Sequence, residues 1–507
     1  MDGCFNTSDT TCHRVLMVLT AMIVLPGCSN STTKDSTKHE TEDSTAIPIS
    51  TQVANFCGAC HSVPDASTFP REAWHDEVKR GYDFYFKSGR TDLKPPVQSA
   101  VVKYYRDLAP IALEFTEELN TAGSVSWKPA DVQWKHMPKR SHAISFVSPV
   151  DFLDVPAWFI SDMEHGFVAI LTADGNILWS SDSVASNPAA IRKCDLDGNG
   201  HADLVCADLG SYLPGDHDLG KVVVVKDYGT PDESIQVIES GLGRVADVRV
   251  ADLDLDGLND IAVAEFGWYK TGSVHVLHNK GIQESGEFRF SANELDERVG
   301  AIQVAILDLD DDGINDIAAL LAQEHEEIVG FLNRGGRFEK VVLSEAQDPS
   351  FGSSGMEFAD LDNDGDPDIL YTNGDTFDSY LAKPYHGISW LENQGDLQFR
   401  RRTISNMSGV HRALPADFDN DGDWDIAAVA LLPDSITQAT DDVFIPSVVW
   451  LEQVSPGRFT KHVVKSSDPS HAAFTLTDVN HDGRMDLVLG NFHSSTSESP
   501  LTILITE

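Results

Sequence analysis

The chain has 507 residues, 41% of them hydrophobic, enough to bury large cores in more than one domain. Its 80 acidic residues outweigh 37 basic ones and leave a formal charge of -43, which excludes nucleic acid as a partner because a phosphate backbone demands the opposite sign.

Val15 to Leu25 is an apolar run too short to span a bilayer and suited to the core of a signal peptide. It runs into Leu25-Pro26-Gly27-Cys28, which resembles a bacterial lipobox. The resemblance implies a signal peptide over residues 1–28 and lipidation of Cys28. Cys4 and Cys12 leave with that peptide. Residues 29–50, rich in Ser, Thr, Lys and Glu, read as a disordered tether. The expected address is extracytoplasmic, in a bacterial envelope or periplasm, with the membrane reached only through the lipid.

Cys57-Gly58-Ala59-Cys60-His61 follows. CxxCH is the attachment motif of a c-type haem, whose two thiols form thioethers while the adjacent histidine reaches the iron. Pro70 to Phe86 is predicted as a helix opened by Pro70, and Val97 to Leu108 as an amphipathic closing helix carrying Val101, Val102, Tyr104, Tyr105 and Leu108. Residues 51–112 thus resemble a small all-α class I cytochrome c, with haem c held by Cys57, Cys60 and His61. Such a cytochrome carries a distal Met before the closing helix, yet no Met lies between His61 and Met137. His75 is the natural substitute for the distal ligand. It fits an exposed helical face equally well, and Lys94, Tyr82, Met137 or a vacant position remain as alternatives.

After a linker at 113–130, residues 131–507 are dominated by one nine-residue sentence written six times, Asp-x-Asp/Asn-x-Asp/Asn-Gly-x-x-Asp. The copies start 52 to 61 residues apart, a spacing that marks a repeat fold. Carboxylates this dense repel one another unless a cation sits among them, and calcium takes six to eight such oxygens. The candidate ligands are Asp195, Asp197, Asn199 and Asp203 in the first loop, then Asp252, Asp254, Asp256 and Asp260, and Asp308, Asp310, Asp312 and Asp316. The later loops offer Asp360, Asp362, Asp364 and Asp368, then Asp417, Asp419, Asp421 and Asp425, and last Asp478, Asn480, Asp482 and Asp486. Six calcium ions are expected, the first loop binding most weakly because Asn199 replaces a carboxylate. An EF-hand would need Glu at position 12, where this chain has Cys206, Val263, Ala319, Tyr371, Ala428 and Leu489, so each loop runs into a buried strand.

Four strand-like runs per repeat point to a mainly β chain with a seven-bladed propeller, the first blade lacking a loop motif. The loops and their spacing resemble the FG-GAP or VCBS repeats of integrin α-chain-like propellers. The chain ends on Leu501 to Ile505, third strand of its blade, and Gln133-Trp134-Lys135-His136 is expected to close the ring as the fourth. Cys194 and Cys206 flank the first loop either as a cross-strand disulfide or as packed core positions.

Loops entering the inner strands share one face with those joining strands two and three. Arg244, Arg298, Glu324, Asp375, His386, His411 and His471 fall there and are candidates for a polar funnel. Two function classes remain open. One is an exported redox protein whose propeller oxidises a small-molecule or glycan-like substrate or docks a redox partner; the other is a non-enzymatic, calcium-braced propeller for ligand binding or adhesion.

Overall fold

The computed structural model describes residues 47–115, 123–150, 155–346, 348–377, 379–433, 445–466, 468–494 and 497–507. The signal peptide, Cys28, Cys4, Cys12 and most of the expected tether lie outside the described residues.

The strands form seven four-stranded antiparallel sheets arranged as a propeller. Blade 3 shows the rule. Val245–Ala251, Asp260–Glu265, Ser273–Ile282 and Phe288–Asp296 follow one another across the sheet. The second strand lies between neighbouring blades and is buried along its whole length, so its sequence Asp-Ile-Ala-Val-Ala-Glu is a run rather than an alternation. The outermost strand faces solvent and is mostly polar or half-buried. The position-12 residues Cys206, Val263, Ala319, Tyr371, Ala428 and Leu489 are all at most 1% exposed, which is why a ligating Glu has no place there. Blade 1 is built from Ile144–Pro149, Ala157–Asp162, Phe167–Thr172 and Ile177–Ser181.

The ring closes at a different strand from the one expected. Trp127–Pro129, within the expected linker, pairs with the chain's last strand, Trp127 opposite Thr506 and Pro129 opposite Leu504. Gln133–His136 instead packs along blade 1, where the Lys135 amide donates to the Gly175 carbonyl at 2.8 Å. Pro129 lacks an amide hydrogen, which costs nothing at the edge of a sheet.

Before the ring stand three helices, α1 (Ile49–Cys57), α2 (Trp74–Lys87) and α3 (Gln98–Leu108). α1 begins inside the segment expected to be a tether. α2 starts four residues after Pro70, which opens a turn instead. Trp74, Val78, Tyr82 and Tyr85 recur at helical spacing and face inward, and Trp74 stacks on Tyr105 of α3 with ring centroids 3.9 Å apart. Among the described residues, no helix is long and apolar enough to cross a membrane.

Cys194 and Cys206 are free, and the register explains why: Cys194 lies opposite Asp203, and Cys206 opposite Ile191. Both pack in the core between blades 1, 2 and 3.

Candidate functional site

α1 ends on Cys57, and the chain leaves it through Gly58, where a Cβ would lie 2.4 Å from the Ala54 carbonyl oxygen. That close approach requires glycine. Cys57 packs against the aromatic core of Phe56, Tyr82, Tyr85 and Tyr105. Burial pushes its thiol up to about 11, against a smaller lowering by the Tyr105 hydroxyl. Cys60 is exposed, with the Arg90 guanidinium 2.8 Å from its sulfur, and Arg90 also pairs with Asp92. His61 donates Nδ1–H to the Ser62 carbonyl at 2.6 Å.

Of the residues considered for a distal position, Tyr82 belongs to the aromatic core beside Cys57. His75 stands on the solvent face of α2 beside Asp76, its side chain 67% exposed. Tyr82 donates its hydroxyl to the Pro96 carbonyl, and Met137 packs in the propeller core between blades 1 and 7.

The helical unit sits on the propeller face that carries the entry loops. Phe84 meets Tyr269 with ring centroids 4.6 Å apart, the Asp65 amide donates to Asp348 at 2.6 Å, and the Lys383 ammonium lies 5.0 Å from the Phe69 ring. Between the two units is a cavity of ≈ 100 Å³, walled by Cys60, His61 and Ser62 on one side and by Glu324, His325 and Glu327 on the other.

The funnel candidates are mostly buried or paired. Glu324 lines that cavity, while Arg298 is locked between Asp296 and Glu327. Arg244 is buried with its guanidinium over the Phe266 ring. His386 and His471 are fully buried, and desolvation drives both below the usual histidine range, His471 to about 3. Desolvation and then Arg412 push His411 down to about 4. Asp375 caps its own loop by accepting from the Phe377 amide. Ion pairs that bridge neighbouring strands and blades are the feature the sequence did not reveal. Arg192 of blade 2 reaches Asp247 of blade 3 at 2.6 Å, and Arg412 of blade 6 reaches Glu357 of blade 5 at 3.3 Å.

Beneath the helical unit, Glu326 is buried and accepts from the Ser353 amide and hydroxyl and from the Gly352 amide, with Lys383 nearby. Burial raises its carboxyl to about 8, the amides, hydroxyl and Lys383 opposing. A carboxyl raised on folding favours the fold most below its ordinary range, and that contribution is lost as pH rises toward 8. Glu326→Gln is therefore expected to flatten the stability loss between about pH 4.5 and 8. Parallel unfolding curves of wild type and variant across that window would refute this.

On the opposite face, the six aspartate loops share one hydrogen-bond plan. The position-1 carboxylate accepts from the glycine at position 6, as Asp308 does from Gly313 at 2.8 Å. The position-9 carboxylate is buried and ties two strands. Asp316 accepts from the Leu309 amide at 2.9 Å and from the Asn333 amide at 2.6 Å, and Asp203, Asp260, Asp368, Asp425 and Asp486 repeat the pattern. Burial raises these carboxyls, Asp368 to about 6 and Asp425 to about 7.

The loops differ in what remains unsatisfied. Buried oxygens without a hydrogen-bond partner occur in the second loop at Asp252 and Asp254, in the third at Asp310, in the fourth at Asp362 and in the fifth at Asp423. In the first loop, the Lys226 ammonium sits 2.7 Å from Asp197 and the Asn199 amide bonds Asp197 and Asp227. The sixth has Asn480 donating to Asp482.

Residues 252–319 and 308–371 match the family profile described as an FG-GAP-like repeat. No curated protein matches the chain. Among solved structures, a catalytically inactive virginiamycin B lyase from Staphylococcus aureus with quinupristin is 11% identical, covers 76% of this chain and 99% of its own, and gives a TM-score of 0.45. Sqt1 of Saccharomyces cerevisiae is 10% identical over 69% of this chain and 80% of its own, with a TM-score of 0.40. Rhamnogalacturonan lyase YesW is 13% identical over 76% of each chain, also at 0.40. Likeness at this level says nothing about activity. What the sheets and the family match establish together is a seven-bladed β-propeller with FG-GAP-like repeats.

Proposed function

We propose that the protein is an exported, calcium-braced redox protein in which haem c, held by the helical unit, transfers electrons to or from a partner, with the propeller as its rigid platform. The observation that carries this reading is the chemistry of the CxxCH segment. His61 commits Nδ1–H to a carbonyl, which leaves Nε2 as a lone-pair donor suited to iron. Cys57 is half-buried with a raised thiol, the opposite of the low-pKa thiolate on which a disulfide-exchange motif depends. The residues therefore fit the group: Cys57 and Cys60 would hold it by thioethers and His61 would be its proximal ligand. When bound, it supplies reversible one-electron chemistry.

The chain's own residues prepare the place. Tyr82 and Tyr85 donate to the Pro96 and Leu93 carbonyls and pin the segment between α2 and α3. Arg90 sets a positive charge beside Cys60. A propeller that itself oxidises substrate has less support, because His386 and His471 are buried and Arg298 is paired. The aspartate loops two to five, with their unsatisfied carboxylate oxygens, are the places calcium would fill.

Protein matured with haem-attachment machinery is expected to carry haem that survives acid-acetone extraction. Cys57→Ala with Cys60→Ala should abolish attachment and leave the propeller folded, since the helical unit has its own core. Absence of covalent haem in the wild type sinks the redox reading.

A further inference from the structure

The helical contacts described above fall on blades 3 to 5, and the same face carries a second constellation at blades 7, 1 and 2. Glu164 and His165 lie in the turn after Ala157–Asp162 of blade 1. Tyr212 follows the second strand of blade 2, and His493 the second strand of blade 7. Glu164 Oε2 is 3.9 Å from His165 Nε2 and 3.5 Å from His493 Nε2, and the Tyr212 hydroxyl is 2.7 Å from the same His493 nitrogen.

The remote nitrogens of both rings are already held. His165 Nδ1 donates to Asp162 at 3.0 Å, and His493 Nδ1 is 3.2 Å from the Ser141 hydroxyl. An ionised carboxylate can only accept, so His165 carries its proton on Nδ1 and presents a bare Nε2 toward Glu164. The Arg140 guanidinium lies 3.7 Å from the same Asp162 carboxylate. His142, 2% exposed, also spends Nδ1 on Asp162 and leaves its buried Nε2 without a partner. His493 is held at φ 51°, a left-handed backbone conformation that non-glycine residues adopt at a cost when a site requires it.

Two ligands each about 2.05 Å from a tetrahedral ion stand about 3.3 Å apart. The Glu164 to His493 and His165 separations are close to that. We propose that Glu164, His165 and His493, beside the Tyr212 phenol, bind one divalent transition-metal ion of the borderline class typified by Zn2+. Two imidazoles and one carboxylate suit such an ion better than calcium, whose ligands are oxygens. Asp162 and Ser141 are positioning residues that aim the two rings. Three protein ligands would leave one position open at a rim where Glu164 and His493 are 37% and 39% exposed.

The test is a Co2+ titration of the full chain made without haem, whose absorption would mask the cobalt bands, in excess calcium, which keeps the aspartate loops occupied. One equivalent is expected to produce visible ligand-field absorption, without the sulfur-to-metal charge transfer that Cys57 or Cys60 would give. Glu164→Gln, His165→Ala and His493→Ala should each weaken binding at least about tenfold. Glu164→Gln is a surface change that tests the site even if a histidine variant misfolds. Absence of the absorption, or absorption that survives all three changes, overturns the proposal. Haem need not be attached for the site to be read, so failure here is separable from failure of the redox reading.

Discussion

A chelator is expected to lower the melting temperature of the purified protein by about 10–20 °C. Four loops contain buried carboxylate oxygens that no donor satisfies, and a ligand at a hundred times its dissociation constant adds about 2.7 kcal/mol per site. Four such sites would contribute about 11 kcal/mol, comparable to the whole stability of an ordinary domain. For domains of 150–250 residues, each kcal/mol moves the midpoint by about 2–4 °C, and a larger cooperative ring moves less. Metal analysis should return about four calcium ions, one for each loop that holds an unsatisfied buried carboxylate oxygen, the first loop having Lys226 on Asp197 and the sixth Asn480 on Asp482. Lys226→Gln should raise the count by one. Melting unmoved by chelation, with no calcium in the protein, would falsify the calcium assignment.

The second large effect concerns Asp316. Asp316→Ala is expected to cost about 2–5 kcal/mol even in chelator, because it leaves the Leu309 and Asn333 amides buried without acceptors. Asp310→Ala should behave differently, destabilising the calcium-loaded protein far more than the chelated one, since its Oδ1 has no protein partner and its Oδ2 pairs only with the partly exposed Arg334 side chain. Equal costs for both variants in both conditions would show that position 9 is only a ligand and not a tie between strands.

Much of the ring was legible because its determinants are local. A nine-residue loop followed by an apolar run dictates a turn and a buried strand, as Asp252 to Asp260 does before Ile261 to Ala264. The closing strand was misplaced for a physical reason. Three residues including Pro129 carry no periodicity, and what makes them a strand is the edge offered by Thr506, Ile505 and Leu504. Burial of His386 and His471 depends on loops from neighbouring blades that spacing does not encode. The cluster of Glu164, His165, Tyr212 and His493 was harder still. Tyr212 and His493 are 281 residues apart in sequence, and each alone reads as a solvated loop residue.

The strand that completes blade 7 also constrains the order of assembly. Trp127–Pro129 leaves the ribosome long before its partner Leu501–Thr506, so every truncated or still-emerging chain has an open ring. Leu501–Thr506 acts as the latch, and a nascent chain lacking it exposes the edge of Asp486–Gly490 to other molecules.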